Sequence, residues 1–378
     1  MKFIKKHIKI IVSVLHGIFL FIVLWLITNS SYSSAADEGI LKQVNIWETK
    51  LFNSSRHINN YFVFINVSRD QKLVSDPADY GKISITDRSK LAQFFKILAD
   101  NGNQHKYVMC DIFFENPDDD DSLLRVETGR CKKLLFPYHL NADTLQKPCI
   151  DVPVALSDFV TYTGNFSKFK LLYNDTIHTT PLVLLKQIDN KQHPISFPSF
   201  KSIFPQYYIL GNDLLPKKKY PYYNLGELLM LAGIDSFYND FLKNKFIVIG
   251  NFDTDVHQSP VGKIAGPLIL LNTYLTLQNN ATVSWWWLLF MLPALSFISY
   301  ILFFKKIKAP EVSKNIWFDF ILQFFINDYI SFSGICLLLV ILSSFIFSIQ
   351  LNIAILLSYL LFITFVKQFY IRHKKKST

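Results

Sequence analysis

The chain has 378 residues and a formal net charge of +10, and the distribution of this charge along the sequence narrows the classes of protein to which the chain can belong. Thirteen of the 39 basic residues but only three of the 29 acidic residues lie before residue 30 or after residue 284, beside long apolar runs, so the central region is formally neutral. Basic clusters beside apolar runs mark the cytoplasmic ends of membrane spans, whereas a nucleic-acid-binding protein carries its basic charge on a folded face. The composition therefore excludes nucleic acid as a partner and predicts a membrane protein with a neutral folded domain.

The amino-terminal region predicts one membrane span. A basic segment, residues 1–9, precedes an apolar run at 10–28 that is long enough to cross about 30 Å of hydrocarbon as a helix. A cleavable signal peptide is the alternative, because the residues at 34–36 are small. We favour a retained anchor, since the apolar run exceeds the roughly 7–15 residues of a signal-peptide core. In both cases residues 30–284 are expected outside the cytoplasm.

Strands and helices alternate at the start of this central domain. Residues 61–67 and 107–114 are short aromatic and β-branched runs, which predict two buried strands. The helix between them is expected to begin after Thr86 or Asp87 and to stop at 101–102. Its apolar face consists of Leu91, Phe94, Phe95 and Leu98. This order predicts an α/β domain in which the two strands pair in parallel.

The rest of the domain predicts a mixed sheet. Residues 159–177 and 197–210 are again rich in aromatic and β-branched residues separated by turn signals, which favours additional antiparallel strands. The chain then returns to α/β order, with a helix at 225–232, a strand at 245–250, a polar loop at 251–265 and a helix that leads into the second span. The predicted fold is therefore an α/β domain with a mixed sheet.

The carboxyl-terminal region predicts three more spans. They lie at 285–304, 331–349 and 351–366, with a cytoplasmic or interfacial amphipathic segment at 305–330 and a basic tail at 367–378. Four crossings put every basic cluster in the cytoplasm, so both termini are expected there, in a multi-pass protein of the cell (inner or plasma) membrane. His16 in the first span has no carboxylate partner in the other predicted spans, which argues against a proton-transport path.

Four polar residues are candidates for a ligand-binding site: Asp111, Asp253, Asp255 and His257. Asp111 lies in the second predicted strand, and the other three follow the strand at 245–250. Ligands of α/β sheets usually bind beyond the carboxyl ends of the strands. The alternative is that Asp111 is a hydrogen-bonded structural carboxylate, and that the three loop residues only satisfy their own backbone. Both interpretations remain open from the sequence.

The sequence carries no signature of catalysis. It has no Gly-rich phosphate loop, no nucleophile elbow and no pair of histidines at zinc spacing. The acidic run at 118–121 lacks the alternating spacing, the turn glycine and the terminal glutamate of a calcium loop. We therefore expect neither enzyme activity nor a metal site, and no cofactor.

Three cysteines of the central domain allow at most one disulfide within it. Cys110 lies within a predicted core strand, so the candidate pair is Cys131 with Cys149.

The two ends of the central domain resemble the type-two CHASE domain, an extracytoplasmic sensory module of bacterial receptors. The residues that carry the resemblance are 62–70, 91–102, 108–120 and 246–250, followed by Asp253, His257, 259–260, Gly262 and Gly266. The resemblance implies a sensory domain with spans on both sides, typically three of them after it. The tryptophan and proline that the family has before the first helix are replaced here by residues 85–88. Family members usually continue into a cytoplasmic output domain, whereas only twelve residues follow the last predicted span.

These observations predict a membrane-anchored extracytoplasmic sensor subunit. Its expected partners are the lipid bilayer, an unidentified small-molecule or envelope ligand, and a separate signalling protein that supplies the output. The alternative is a structural or scaffolding protein of the envelope with no signalling role. An enzyme of the envelope is the third and least favoured hypothesis, because no catalytic signature supports it.

Overall fold

The computed structural model of the chain describes residues 2–30, 35–52, 61–75, 81–141, 144–158, 166, 168–174, 176–191, 201–214, 219–232, 236–279, 285–304, 330–347, 349, 351 and 353–376. They fall into two compact units. The helical unit comprises the described parts of Met1–Val44, Pro194–Phe204 and Thr282–Thr378, and the sheet unit those of Asn45–His193 and Pro205–Ala281. Each unit has its own apolar core.

The elements of both units follow in chain order. The helices are α1 (Lys2–Asn29), α2 (Ala35–Phe52), α3 (Arg88–Asp100), α4 (Asp121–Arg130), α5 (Thr180–Asp189), α6 (Leu225–Leu231), α7 (Phe237–Phe241), α8 (Gly266–Asn279), α9 (Trp285–Phe304), α10 (Ile330–Phe347) and α11 (Ala354–Lys376). The strands are β1 (Phe62–Asn66), β2 (Gln71–Ser75), β3 (Lys82–Thr86), β4 (Tyr107–Asp111), β5 (Leu134–Asn141), β6 (Thr144–Gln146), β7 (Val154–Leu156), β8 (Phe169–Lys170), β9 (Leu172–Tyr173), β10 (Ile177–His178), β11 (Ser202–Ile203), β12 (Tyr222–Asn224), β13 (Phe246–Gly250), β14 (Val256–Ser259) and β15 (Gly262–Ala265). A short 3₁₀ helix spans Gly211–Leu214.

A seven-stranded sheet organises the sheet unit. Its strand order is β12-β1-β13-β4-β5-β6, with β7 paired to β5. The strands from β12 to β5 are parallel to their neighbours, and β6 is antiparallel to β5. The predicted α/β fold with a mixed sheet is confirmed. The expected direct pairing of the first two strands is wrong, because β13 lies between β1 and β4.

Side-chain alternation divides the sheet between two layers of helices. Val63 and Ile65 of β1 pack into the core that α3, α4 and α6 cover. Phe62 and Phe64 point to the opposite face, as the two-residue period of a strand requires. On that face the ring of Phe246 contacts Tyr274 of α8 at a centroid distance of 5.7 Å. Because β1, β13 and most of β4 are buried, both layers are needed to remove the sheet from water.

Helix α3 begins and ends as its sequence predicts. The side chain of Asp87 accepts hydrogen bonds from the backbone N–H groups of Ser89 and Lys90, and Asn101 is the C-cap. These caps satisfy backbone groups that the helix leaves unpaired at its ends. The expected apolar face is buried in the core.

Arg88 holds the acidic turn before α4 in place. Its side chain is only 2 % exposed, and its guanidinium donates to the Asp121 carboxylate and to the backbone oxygen of Asn116. The guanidinium carbon also lies 5.1 Å from the centroid of the Phe114 ring. Lys72 of β2 bridges the neighbouring carboxylates of Asp118 and Asp120 at 3.1 and 2.8 Å. The acidic run is therefore a set of ion pairs that fastens elements together.

Two helices of the helical unit are long and apolar enough to span a membrane. They are His7–Asn29, within α1, and Trp286–Phe304, within α9. In α10 and α11 the apolar parts that qualify are shorter, Gly334–Ser344 and Ala354–Lys367. A span requires about 20 residues, so the structure supports two of the four predicted spans by length and composition. These properties alone are weak evidence, because a buried core helix or a signal sequence shares them.

The segment predicted as a polar loop at 251–265 contains a hairpin instead. Strand β14 pairs antiparallel with β15, in register from Val256 with Ala265 to Ser259 with Gly262. Ser259 Oγ accepts from the Val261 N–H and donates to the Gly262 oxygen at 2.7 Å, and Gly262 has a φ of +107°. The turn between Ser259 and Gly262 thus pairs two polar strands. The sequence did not indicate these strands, because apolar and polar residues alternate only weakly in them.

The expected disulfide is wrong in this structure, since Cys131 and Cys149 are both free thiols. Cys131 is the C-cap of α4, whereas the Cys149 sulfur lies 3.5 Å from Asp121 Oδ2 at the start of the same helix. A ten-residue helix is about 15 Å long, and a disulfide requires Cα atoms within about 7 Å. The helix therefore holds the two thiols apart.

Two predictions fall largely outside the described residues. The amphipathic segment at 305–330 is described only at its last residue, and the strands expected in 159–165 and 197–200 are not described. Within the described parts of those regions, β9 and β10 form an antiparallel pair.

Replacing Arg88 with methionine should destabilise the sheet unit strongly, because it leaves the Asp121 carboxylate without its buried cation. Removing one partner of a buried pair typically costs about 3 kcal/mol, which corresponds to a fall of roughly 6–12 °C in the unfolding midpoint. The control is Arg130→Met, since Arg130 also pairs with carboxylates but is 45 % exposed. Its effect should be much smaller, because ion pairs on an exposed surface contribute little to stability. Thermal unfolding of the detergent-solubilised chain measures both, and equal midpoints would contradict the role of Arg88.

Candidate functional site

The central strands end in one row of residues at the carboxyl edge of the sheet. Asn66 of β1 is in register with Gly250 of β13, and Gly250 with Asp111 of β4. All three lie on the face opposite to Val63 and Ile65, because strand residues alternate between faces. The carboxyl edge of a parallel sheet is the usual ligand position in α/β folds.

Asp111 occupies the centre of this edge. Its side chain is half-buried, and it forms no hydrogen bond or ion pair with the residues that the structure describes. A Cβ at the neighbouring Gly250 would overlap Pro267 at the start of α8. Glycine therefore allows α8 to approach the sheet beside Asp111.

The hairpin that follows β13 brings two more of the predicted residues to this edge. His257 Nε2 lies 2.9 Å from Asp255 Oδ1. The backbone oxygen of Asp255 accepts a hydrogen bond of 2.9 Å from the Gly266 N–H, which fixes Asp255 to the first residue of α8. The charges of Asp255 and His257 both act on the pKa of Asp111. Three of the four predicted site residues are thus brought together.

A second carboxylate–histidine pair, which the sequence analysis missed, belongs to the same cluster. His139 of β5 places Nδ1 at 2.6 Å from Asp158 Oδ1. The other Asp158 oxygen accepts from the Leu140 N–H, and the His139 ring contacts Phe113 edge-on at 4.7 Å. The alternation of side chains along β5 could have indicated His139. The sequence around Asp158, in contrast, gives no sign that this residue contacts a side chain 19 positions earlier.

Asp253, the fourth predicted residue, is bound elsewhere on the edge. Its carboxylate accepts hydrogen bonds from Ser68 Oγ and from Asn66 Nδ2, the latter at 3.0 Å. Asn66 Oδ1 in turn accepts from the backbone N–H groups of Ser68 and Phe252. Asp253 therefore fastens the loop after β13 to the end of β1, a structural role of the kind that the sequence left open.

The electrostatics of the cluster centre on Asp111. Burial, and then the negative charge of Asp255, raise the pKa of Asp111 from 3.8 to about 7, while His139 and His257 act in the opposite direction. The pKa of His257 is raised by its hydrogen bond to Asp255. Burial lowers the pKa of His139, but the Asp158 carboxylate, together with the charges of Asp111 and Asp255, outweighs it and the net direction is upward. All three pKa values are therefore shifted upward from the ordinary values of these groups.

The donor set does not converge on a metal position. Among the described residues, no group of three or more histidine, cysteine, aspartate or glutamate side chains is arranged to hold a metal ion. Each histidine is oriented by a carboxylate, so the cluster can offer one unpaired carboxyl group and two oriented imidazoles to a small polar ligand or to a proton.

No family model matches this chain, and neither the curated proteins nor the solved structures contain a significant match. The resemblance to the type-two CHASE domain therefore stays a prediction.

Replacing Asp111 with asparagine should remove a pH-dependent part of the stability. A carboxyl group with a raised pKa in the folded state stabilises the fold below its unfolded pKa, and this contribution is lost as the pH rises through about 7. The free energy of unfolding of the wild type should therefore fall by an amount on the order of 2 kcal/mol between about pH 5 and pH 8, and its unfolding midpoint should fall with it. Asp111→Asn should fall less over the same range, as thermal unfolding at a series of pH values will measure.

Asp100→Asn is the matched control, because Asp100 is 42 % exposed and the pKa of its carboxyl is lowered by Lys96 and Arg130. This variant should keep the wild-type decline between the two pH values. An unchanged pH profile in Asp111→Asn would contradict the assignment of Asp111.

Proposed function

We propose that this protein is a membrane-anchored extracytoplasmic sensor subunit that binds its ligand at the carboxyl edge of the sheet and signals through its helices to a separate partner. The observation that carries the proposal is the half-buried Asp111 carboxyl group, which has no direct partner among the described residues and lies between two carboxylate–histidine pairs. Structural carboxylates are normally hydrogen-bonded when they are removed from water. A carboxyl group left unpaired at the usual ligand position is better explained as a contact for a ligand.

The paired ends of the helices support a four-span arrangement with both termini in the cytoplasm. In that arrangement the start of α1 and the ends of α9 and α11 share one side of the membrane. Lys9 Nζ lies 5.3 Å from the centroid of the Phe304 ring, and Lys367 Nζ donates to the Leu302 and Phe303 oxygens at 2.7 and 3.1 Å. The basic part of α1 and the basic part of α11 thus both contact the last residues of α9.

The opposite ends of the helices also contact one another, as the four-span arrangement requires. Trp287 Nε1, at the start of α9, donates to Ser343 Oγ near the end of α10 at 2.9 Å. Asp37 Oδ1, which follows α1, accepts from the backbone N–H groups of Ile353 and Ala354 at the start of α11, at 2.8 and 3.0 Å. The four helices also share one apolar core. All of these contacts agree with four antiparallel crossings in chain order.

The proposed topology makes a direct prediction for reporter fusions. A reporter that is active only outside the cytoplasm should give signal when it is fused at Asp143, between β5 and β6, and none when it is fused after Ser377. A reporter that is active only in the cytoplasm should give the reverse pattern. Activity of the external reporter at the carboxyl terminus would overturn the four-span topology.

The ligand site is tested by the small molecules that the full chain retains. The wild-type protein and the variants Asp111→Asn and Asp100→Asn are solubilised gently from membranes, and the bound small molecules are compared by mass spectrometry. We expect at least one species to be present with wild type and Asp100→Asn and to be reduced tenfold or more with Asp111→Asn, which is about 1.4 kcal/mol of lost affinity. Equal retention by all three proteins, or no retained species, would contradict a sensor that uses Asp111 and favour the scaffolding role.

A further inference from the structure

His16 joins three helices in the middle of the helical unit. Its Nδ1 lies 2.8 Å from Ser299 Oγ of α9, and its Nε2 lies 3.0 Å from the Tyr359 hydroxyl of α11. Its ring also contacts Phe303 edge-on at 4.7 Å. A titratable side chain inside a predicted span requires such partners, because an unsatisfied polar group is costly in hydrocarbon. We name these residues, His16, Ser299 and Tyr359, the His16 junction.

The hydrogen bonds of the junction determine where the imidazole carries its proton. Ser299 Oγ donates to the Leu295 oxygen of its own helix at 2.8 Å, so it can only accept from His16. His16 Nδ1 therefore carries a hydrogen atom. In the neutral ring Nε2 is then the acceptor, and the Tyr359 hydroxyl donates to it. The junction is a directed chain from α11 through α1 to α9 that fits a neutral histidine.

The surroundings of the ring do not compensate a positive charge. The described side chains that contact it ring to ring or by a hydrogen bond are Phe19, Phe303, Tyr359 and Ser299. The cations of the same helices, Lys9 and Lys367, make their own contacts at the basic end, which is about 10–12 Å away along the helix axes. The remaining titratable side chains described on α9 and α11, Tyr300 and Tyr370, do not contact the ring. No carboxylate of the described residues faces it.

The two helices that His16 joins to α1 are held differently. Helix α1 packs closely on α9, since a Cβ at Gly17 would come within 2.8 Å of the Ser296 backbone. Helix α11 is fixed by polar contacts at its two ends, through Asp37 and Lys367. Between those ends, the hydrogen bond from Tyr359 to His16 is its polar connection to α1 among the described residues.

We propose that the His16 junction is an acid-sensitive fastening, in which the imidazole is the site that takes up a proton. A second proton on Nε2 turns this acceptor into a donor, so the Tyr359 hydroxyl must rotate to accept from it, and the hydroxyl hydrogen then loses the acceptor that it has among the described residues. The imidazolium also requires water that the surrounding aromatic rings exclude. Protonation therefore releases the middle of α11 from α1, while α1 and α9 stay packed. This inference concerns the helical unit alone and holds whether or not Asp111 binds a ligand.

The test measures distances between helices in the full chain, reconstituted in lipid nanodiscs. Spin labels are placed on cysteines introduced at Leu15 of α1 and Phe362 of α11, each 63 % exposed, in a background without the native cysteines. The control pair joins Leu15 to Phe297 of α9, which is 60 % exposed. Between about pH 7.5 and pH 5 the first distance should lengthen or broaden, and the control distance should not change. An unchanged first distance would overturn the proposal.

Two variants separate proton uptake from loss of packing. In His16→Gln the side-chain amide can donate to Ser299 and accept from Tyr359 but cannot take up a proton, so the distance between Leu15 and Phe362 should stay at its neutral value at both pH values. In His16→Phe both hydrogen bonds are lost, so this distance should already be broadened at neutral pH. A pH response in His16→Gln as large as in wild type would place the titrating group elsewhere and reject His16.

Discussion

The in-register parallel pairing of β1, β13 and β4 is the constraint on which the sheet unit depends. These strands are buried along most of their length, so their backbone groups must be satisfied by pairing within the sheet. The same pairing aligns Asn66, Gly250 and Asp111 at the carboxyl edge. A change of register by one residue would turn Asp111 into the apolar core below α3, where its carboxyl group would have no solvation. Core packing and the position of the candidate site are therefore set by one set of hydrogen bonds.

Two charged side chains of the sheet unit, Arg88 and Asp111, have contrasting surroundings. Arg88 is almost fully buried, yet it is matched by the Asp121 carboxylate, a backbone oxygen and an aromatic ring. Asp111 has no such match among the described residues, and burial together with the charge of Asp255 raises its pKa. The ion pair of Arg88 fixes the turn before α4. The surroundings of Asp111, in contrast, keep its carboxyl group available at the edge of the sheet that α8 and the hairpin partly enclose. This contrast distinguishes a structural ion pair from a candidate binding group more clearly than residue type does.

Among the described residues of the helical unit, several polar side chains connect helices at different levels along their axes. Lys367 joins α11 to the end of α9, Asp37 caps the start of α11, and His16 connects three helices between these levels. In an apolar environment such contacts determine which helices are neighbours, because apolar packing against lipid and against another helix is similarly favourable. The antiparallel order that the basic clusters suggest also agrees with contacts outside those clusters, such as those of Asp37 with the start of α11 and of Trp287 with Ser343.

The sequence by itself determined the elements whose cause is local. The caps of α3 at Asp87 and Asn101, the buried runs of β1, β4 and β13, and the apolar stretches of α1 and α9 all follow from adjacent residues. It also indicated Asp111, Asp255 and His257, because polar residues after buried strands are recognisable without a partner. Only the tertiary structure placed β13 between β1 and β4 and brought Asp158 to His139, since these contacts join distant parts of the chain. Separation of Cys131 from Cys149 and the bonding of Asp253 to Ser68 were likewise decided in three dimensions, because the path of the chain, and not residue type, determines which side chains meet.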